Sequence, residues 1–254
     1  MLLAISTAAQ SFSTFNTAWN PGANTARSSF SGTAPTQGPG GATWSIIGSG
    51  VSDASGFDSH GGASTTSLAA LNPGINISSV INDAFDVWAS VSDFTNLGQV
   101  DDSGVGFGAS ESGSTSFGDI RIGAINFDGP GNILAHGFQP GTEAIFTNGS
   151  LAGDIHIDNS ENWISSFDLA TVLLHEIGHA LGLGHSDDVN SVMFAAYSGI
   201  RLALASDDIA GIQSIYGGST TPPAAVPLPA APLLFLSTIG LIGLVRRKRA
   251  TKLL

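Results

Sequence analysis

Eleven consecutive residues, His175 to His185, constrain the fold of this chain more than any other segment. They read HEIGHALGLGH. Residues four apart lie on one face of an α-helix, so His175 and His179 can direct ring nitrogens at one metal ion, with Glu176 beside it. Gly182 lets the helix stop and the chain turn back, so that His185 supplies a third nitrogen. Three imidazole ligands leave a tetrahedral zinc one position for a water molecule, whose pKa falls to about 7. The segment therefore predicts a catalytic zinc site.

The residues around this segment predict a half-buried helix, which is where a ligand-bearing helix must lie. A surface helix with ordinary polar residues is the alternative, and a bare H-E-x-x-H would leave it open. The added glycine and third histidine favour the zinc site. The apolar positions are Val172, Leu173, Leu174, Ile177, Leu181 and Leu183.

The charge of the chain is distributed unevenly. Residues 1–219 contain 3 basic and 20 acidic side chains, a net charge of 3 − 20 = −17, and the other five basic residues lie in the last nine positions. Such an acidic body disfavours nucleic-acid binding, because it repels phosphates. It suits a secreted, calcium-loaded protein, or simply a soluble one. Cysteine is absent, which excludes disulfides and a thiolate that blocks the metal.

The C-terminal residues form a tripartite tail. A proline-rich linker (219–232) leads into an apolar run and a basic cluster (233–254), which we expect to form a transmembrane segment with its basic end in the cytoplasm. The tail resembles the bacterial PEP-CTERM class of sorting signals in its V-P-L-P-A variant, here Val226 to Ala230. That resemblance implies export and processing by an exosortase-like protease, at the cell envelope or outside the cell. A plain C-terminal membrane anchor is the alternative.

The start of the chain has a weaker signal. Residues 1–10 have a brief apolar patch and small residues suited to cleavage, but no positive charge. We interpret residues 1–41 as a signal remnant followed by a low-complexity segment. We expect this segment to be poorly ordered or peripheral.

Residues 42–218 alternate between strand and helix patterns. The order is β, α, several β, then two helices, which predicts an α/β (α+β) domain. Ser165 or Ser166 is the expected N-cap of the zinc helix. The predicted elements are strands within 42–51, 94–100 and 119–124, helices at 77–91 and 208–216, and the zinc helix between the last strand and the last helix.

Three further segments indicate a family. Residues 127–141 read FDGPGNILAHGFQPG, residues 153–163 read GDIHIDNSENW and residues 207–217 read DDIAGIQSIYG. With the long zinc motif, they resemble the matrixins, the matrix-metalloproteinase branch of the metzincins, from about residue 75 to 217. The resemblance implies a metzincin (zincin-like) fold: a twisted mixed β-sheet with an active-site helix and a C-terminal helix.

The resemblance also implies a structural calcium ion. Its ligands would be the carboxylates of Asp128, Asp158 and Glu161 and backbone carbonyls of the F-D-G-P-G loop. Oxygen ligands in that number suit Ca²⁺, and a solvated acidic loop is the alternative. The carbonyl ligands would come from Gly129, Gly131 and Ile133.

A second zinc, which matrixins hold with four ligands, is only half matched here. His136 and His156 correspond to two of the ligands, but residues 120–127 supply neither of the others. Two imidazoles make a poor structural zinc site. We therefore expect no complete second site.

The remaining implied roles concern substrate and turnover. A polypeptide substrate would pair with the edge strand 133–137 through Leu134 and Ala135, and Tyr197 would wall the specificity pocket. Met193 would form the tight turn beneath the zinc, and Glu176 would be the general base.

The predicted function is a secreted or surface-anchored bacterial zinc endopeptidase. The rival is a surface or matrix binding protein that keeps the fold without the activity.

Overall fold

The computed structural model describes residues 11–19, 38–53, 64–104, 106, 117–126, 128–140 and 151–219. The predicted signal remnant, nearly all of the proline-rich linker and the predicted membrane segment lie outside these residues. Within them, none of the helices has the length and apolar character needed to cross a bilayer.

The described chain forms a mixed five-stranded sheet and three α-helices, which confirms the predicted fold class and order of elements. The strand order is β2-β1-β3-β5-β4, with β4 antiparallel to β5 and the other neighbours parallel, so β4 is an edge strand. The elements are β1 (Gly40–Ile46), α1 (Ile77–Ala89), β2 (Phe94–Gln99), β3 (Ile120–Ile125), β4 (Ala135–Gly137), β5 (Ile155–Asp158), α2 (Leu169–Ala180) and α3 (Ser206–Tyr216).

The central strand β3 is buried along its whole length, as expected for a parallel strand covered on both faces. Its one charged residue, Arg121, is neutralised by Asp102, with two nitrogen–oxygen distances of 2.8 and 2.9 Å. Burial by itself raises the pKa of Asp102, but the hydrogen bond and charge of Arg121 outweigh it, with help from Gly104 and Ser45, and the pKa lies below its ordinary value. The pair therefore keeps β3 free of an uncompensated buried charge.

Helix α1 packs against the zinc helix α2. The apolar side of α1 contributes Phe85 and Trp88, both fully buried, and Phe85 stacks on Trp44 of β1 with 6.0 Å between ring centroids. The indole N–H of Trp88 donates to the Leu174 carbonyl of α2 at 3.0 Å. Helix α2 also contacts β4 and β5, so it packs both on α1 and on the β4–β5 edge of the sheet.

The predicted start of α2 was wrong. Its N-cap is Asp168, whose carboxylate accepts the Thr171 amide at 2.7 Å, rather than Ser165 or Ser166. Both serine amides are instead held by Asn162 in the preceding turn, at 3.1 Å each, so the chain is not yet helical there. The first strand also ends earlier than expected, at Ile46.

The expectation that everything before residue 42 is poorly ordered or peripheral was wrong for residues 11–19. Trp19 is only 3% exposed, and its indole N–H donates to the Ala180 carbonyl at the end of α2 at 2.8 Å. The hydroxyl of Tyr216 in α3 accepts the Trp19 amide at 3.2 Å and donates to the Leu181 carbonyl at 2.9 Å. The segment 11–19 is therefore part of the folded domain, next to the end of the zinc helix.

Candidate active site

Three histidines converge where α2 ends. His175 and His179 lie one turn apart on α2, with ring centroids 4.7 Å apart, and His185 approaches from the following loop. The Nε2 atoms of His179 and His185 are 3.2 Å apart, and one nitrogen from each of the three rings lies within 4.8 Å of the others. Two nitrogens bound to one tetrahedral zinc are about 3.3 Å apart, given Zn–N distances of about 2.0–2.1 Å. The cluster is therefore close to the size that a zinc ion needs.

Backbone carbonyls orient two of these rings. The Nδ1 atom of His175 lies 2.7 Å from the Val192 oxygen, and that of His179 lies 2.7 Å from the Leu183 oxygen. Because a carbonyl only accepts, Nδ1 carries the proton in each ring and the Nε2 lone pair is left for a metal. Burial lowers the pKa of His175 to about 4 and the pKa of His179 to about 3, so both rings are neutral near pH 7. Neutral imidazole is the form that binds zinc.

Gly182 makes the turn that returns the chain toward the cluster. Its φ is +107°, a region that residues with a side chain rarely adopt. A Cβ atom there would also lie 2.3 Å from the Thr17 carbonyl oxygen. The glycine predicted to end the helix is therefore required both by its backbone conformation and by the close approach of the N-terminal segment.

Met193 packs against the zinc helix at Gly178. It is 1% exposed, and a Cβ atom built on Gly178 would be 2.3 Å from its sulfur. Asp208 of α3 holds the turn in place, because its carboxylate accepts the amides of Val192 and Met193 at 2.9 and 3.1 Å. Sequence reasoning missed this role of Asp208. Since the same turn supplies the carbonyl that orients His175, α3 is coupled to the histidine cluster.

Glu176 lines the cleft beside the histidines and is 6% exposed. Burial raises its pKa to about 8. A dication held by the adjacent imidazoles would act against this shift, since a nearby opposite charge favours the carboxylate. The arrangement thus provides a carboxyl group whose proton affinity is tuned by burial in one direction and by a metal in the other.

The histidines and Glu176 lie in a cleft of about 970 Å³, within the usual range for ligand sites. The predicted substrate-binding residues Leu134, Ala135 and Tyr197 all line it. The Tyr197 hydroxyl accepts the Asp168 amide at 3.1 Å, and its ring meets Phe167 edge-on with 5.3 Å between centroids. Tyr197 is therefore fixed at the start of α2.

Several residues that line the cleft were not predicted. Thr171 and Val172 lie on α2, and the others belong to loops or to the distant N-terminal segment, where no periodicity indicates which side chain faces the cleft. They include Ser13, Phe15, Phe167, Thr171, Val172 and Arg201.

The predicted calcium ligands are partly brought together. Glu161 accepts the Gly131 amide at 2.5 Å, which joins the β5 loop to the glycine-rich loop. Asp158 is fully buried; its Oδ1 accepts from Ser160, while its Oδ2 has no hydrogen-bond partner in the described part of the chain. A buried, unpaired carboxylate oxygen fits a cation. Asp128 is exposed, and the three carboxylates do not form a cluster as compact as that of the histidines.

His136 and His156 face each other as cross-strand partners on β4 and β5. Both rings contact Phe138, with centroid distances of 6.2 and 5.3 Å. In the described ranges, no third histidine or carboxylate joins them in a metal-sized cluster. The expectation of an incomplete second zinc site stays a prediction.

Comparison with known proteins identifies the family. The matrixin family model matches residues 65–217, more than half of the chain. Matrix metalloproteinase-27 of Homo sapiens is 45% identical over 112 residues, 42% of this chain and 20% of that protein. Interstitial collagenase of Equus caballus is 39% identical over 160 residues, which are 59% of this chain and 30% of that protein. Matrilysin of Homo sapiens is 46% identical over 98 residues, 36% of this chain and 34% of that protein.

The chain thus spans about a fifth to a third of the length of these relatives. Matrixins use a catalytic zinc ion and structural calcium. The three-histidine cluster agrees with the catalytic zinc. The resemblance inferred from the zinc motif and the glycine-rich loop is confirmed. The chain belongs to the matrixin family of zinc metalloendopeptidases.

Proposed function

We propose that this chain is a zinc-dependent endopeptidase that hydrolyses internal peptide bonds of a polypeptide. The observation that carries the proposal is the three-imidazole cluster beside the buried carboxyl group of Glu176, inside a cleft bounded by an edge strand. The names of the relatives, an interstitial collagenase and a matrilysin among them, support the same class of reaction.

His175, His179 and His185 would hold the zinc, which supplies polarisation of the scissile carbonyl and a lower pKa for water in the site. Glu176 accepts a proton from the water whose oxygen attacks the carbonyl carbon. It then delivers that proton to the amide nitrogen as the carbon–nitrogen bond breaks, so that the products are a carboxylic acid and an amine. The burial of Glu176 suits this double role, because it raises the proton affinity of the carboxylate.

Edge strand β4 provides the surface on which the substrate is aligned. One side of β4 pairs with β5, and its residues Ala135 to Gly137 line the cleft. An extended peptide that pairs with the other side would place its backbone across the histidine cluster. A side chain of that peptide would enter the part of the cleft that Tyr197 and Val172 line.

Glu176→Gln in the full-length chain separates metal binding from turnover. The amide has nearly the same shape but cannot accept the proton, so we expect one zinc per chain and a loss of peptide hydrolysis of at least a hundredfold. Zinc content is measured by elemental analysis, and turnover by cleavage of casein and gelatin. Asp83→Asn, the same chemical change at an exposed position on α1, is the control and should leave both unchanged.

Two results would overturn the proposal. Retained hydrolysis by Glu176→Gln would remove Glu176 from the reaction. A zinc-loaded wild-type chain that cleaves no peptide in a broad screen would favour the rival function, a binding protein that keeps the fold.

We also infer that the protein is exported and that its tail is processed near Val226 to Ala230. The order of proline-rich linker, apolar run and basic cluster supports this inference. A membrane-embedded exosortase-like protease would be the partner. Mass spectrometry of the protein recovered from its source cells tests it: processing predicts a C-terminus near residue 230, and an intact basic end at Leu254 would exclude it.

A further inference from the structure

The segment 11–19 pairs with the loop that carries the third histidine. The Phe15 amide donates to the Gly182 carbonyl and the Gly184 amide donates to the Ser13 carbonyl, each at 2.9 Å. The Ser13 hydroxyl donates to the His185 carbonyl at 2.7 Å. These contacts form a short antiparallel ladder, which places the side chains of this segment relative to the histidine cluster.

Phe15 is the large apolar side chain of this segment that reaches the cleft. Its ring lies 5.9 Å from that of His179, at an interplanar angle of 44°. It lines the cleft together with Ser13, Gly184 and His185. Although its backbone is fixed by the ladder, its side chain is 39% exposed. An exposed aromatic ring that lines the cleft beside the histidine cluster is suited to contact a bound molecule.

Phe15 lies at the opposite end of α2 from the pocket walled by Tyr197. Tyr197 and Thr171 are at the start of the helix, whereas Phe15 contacts His179 near its end. Eight residues separate Thr171 from His179, about 12 Å along the helix axis. An extended peptide advances about 3.3 Å per residue, so it crosses that distance in three to four residues. A single peptide bound along β4 therefore reaches both places.

We propose that Phe15 forms a second specificity subsite, across the histidine cluster from the Tyr197 pocket, and that it selects an apolar side chain of the polypeptide substrate. The inference rests on the proposed function for its substrate class. It adds a specificity-determining residue from a segment about 160 residues away in sequence. The contact with the Phe15 ring removes apolar surface of both partners from water, which favours leucine or phenylalanine over a polar residue.

Peptide binding to the inactive Glu176→Gln chain tests this subsite without relying on turnover. Zinc-loaded, full-length Glu176→Gln is titrated with a peptide set in which one position at a time is changed from leucine to serine. We expect one position, three to four residues from the one that occupies the Tyr197 pocket, where leucine binds about tenfold more tightly than serine. Adding Phe15→Ala should abolish that preference and leave the preference at the Tyr197 pocket intact, whereas Phe15→Leu should retain most of it.

Phe12→Ala is the matched control. Phe12 belongs to the same segment, but its ring packs over Gly211 of α3 rather than in the cleft. It therefore reports on docking of the segment alone, and the leucine preference should survive in it. An unchanged profile in Phe15→Ala, or an equal loss in Phe15→Leu, overturns the subsite. A wild-type chain that cleaves nothing while the Phe15-dependent preference persists would refute the proposed function and leave the subsite standing.

Discussion

At the scale of single residues, the sequence predicts which histidines come together but not what orients them. The helical spacing of His175 and His179 predicts that they share a face, because the period of the helix is fixed by its geometry. The carbonyls of Val192 and Leu183, which fix the ring tautomers, lie in turns whose path depends on tertiary contacts. No periodic signal indicates where such carbonyls point. The role of Asp208 was not predictable for the same reason, because its carboxylate accepts the Met193 amide from a different helix, α3.

Gly178→Ala tests how tightly the methionine turn packs against α2. In an exposed helix this change stabilises by about 1 kcal/mol, since alanine has the higher helix propensity. Here the new methyl group would lie 2.3 Å from the Met193 sulfur and 3.0 Å from the Trp88 ring. We expect a net loss of about 1–3 kcal/mol in the free energy of unfolding, measured in urea. Most of this loss should disappear when Gly178→Ala is compared with its parent in a Met193→Ala background. A more stable Gly178→Ala chain would show that the turn does not pack there.

At the scale of elements, regular patterns and local contacts were predictable, whereas distant contacts were not. Helix α1 begins at the predicted residue, Ile77, and ends two residues before the predicted end. It was predictable because its apolar positions recur with the helical period. The docking of segment 11–19 on the third-histidine loop was missed, because its partners lie about 170 residues further along the chain. Polar, small residues in that segment look like a low-complexity linker, and its two phenylalanines and one tryptophan are too irregularly spaced to indicate an element.

Asp158, the last residue of β5, allows a test of the predicted calcium site. We expect calcium to raise the melting temperature of the zinc-loaded chain, because an ion that binds only the folded state stabilises it by about 2.7 kcal/mol at a hundred times its dissociation constant. Asp158→Asn should abolish most of the calcium-dependent rise, since the unpaired Oδ2 of Asp158 is lost as an anionic ligand. Differential scanning calorimetry with calcium or a calcium-selective chelator measures it. Asp83→Asn should keep the full rise, and an equal rise in Asp158→Asn would place any calcium elsewhere.

At the scale of the whole molecule, the two basic side chains among the described residues each have a specific role. The described part of the chain contains two arginines: Arg121 neutralises Asp102 inside the sheet, and Arg201 lines the cleft. The Arg201 guanidinium donates to the carbonyls of Ser191 and Val189. These hydrogen bonds connect the chain that follows Tyr197 to the residues just before Met193. The acidic charge that remains predicts binding of cations rather than of nucleic acids. Composition supports this prediction, but it does not indicate that one arginine borders the cleft.

X-ray absorption at the zinc edge of the full-length, metal-loaded chain tests the central claim most directly. The account predicts one zinc per chain with three imidazole nitrogens at about 2.0–2.1 Å and a fourth ligand that is a solvent oxygen. His185→Ala should reduce the imidazole count to two, and the exposed control Asp83→Asn should leave it at three. A zinc bound by fewer than three imidazoles in the wild-type chain, or by a fourth protein ligand that occupies the solvent position, would contradict the account.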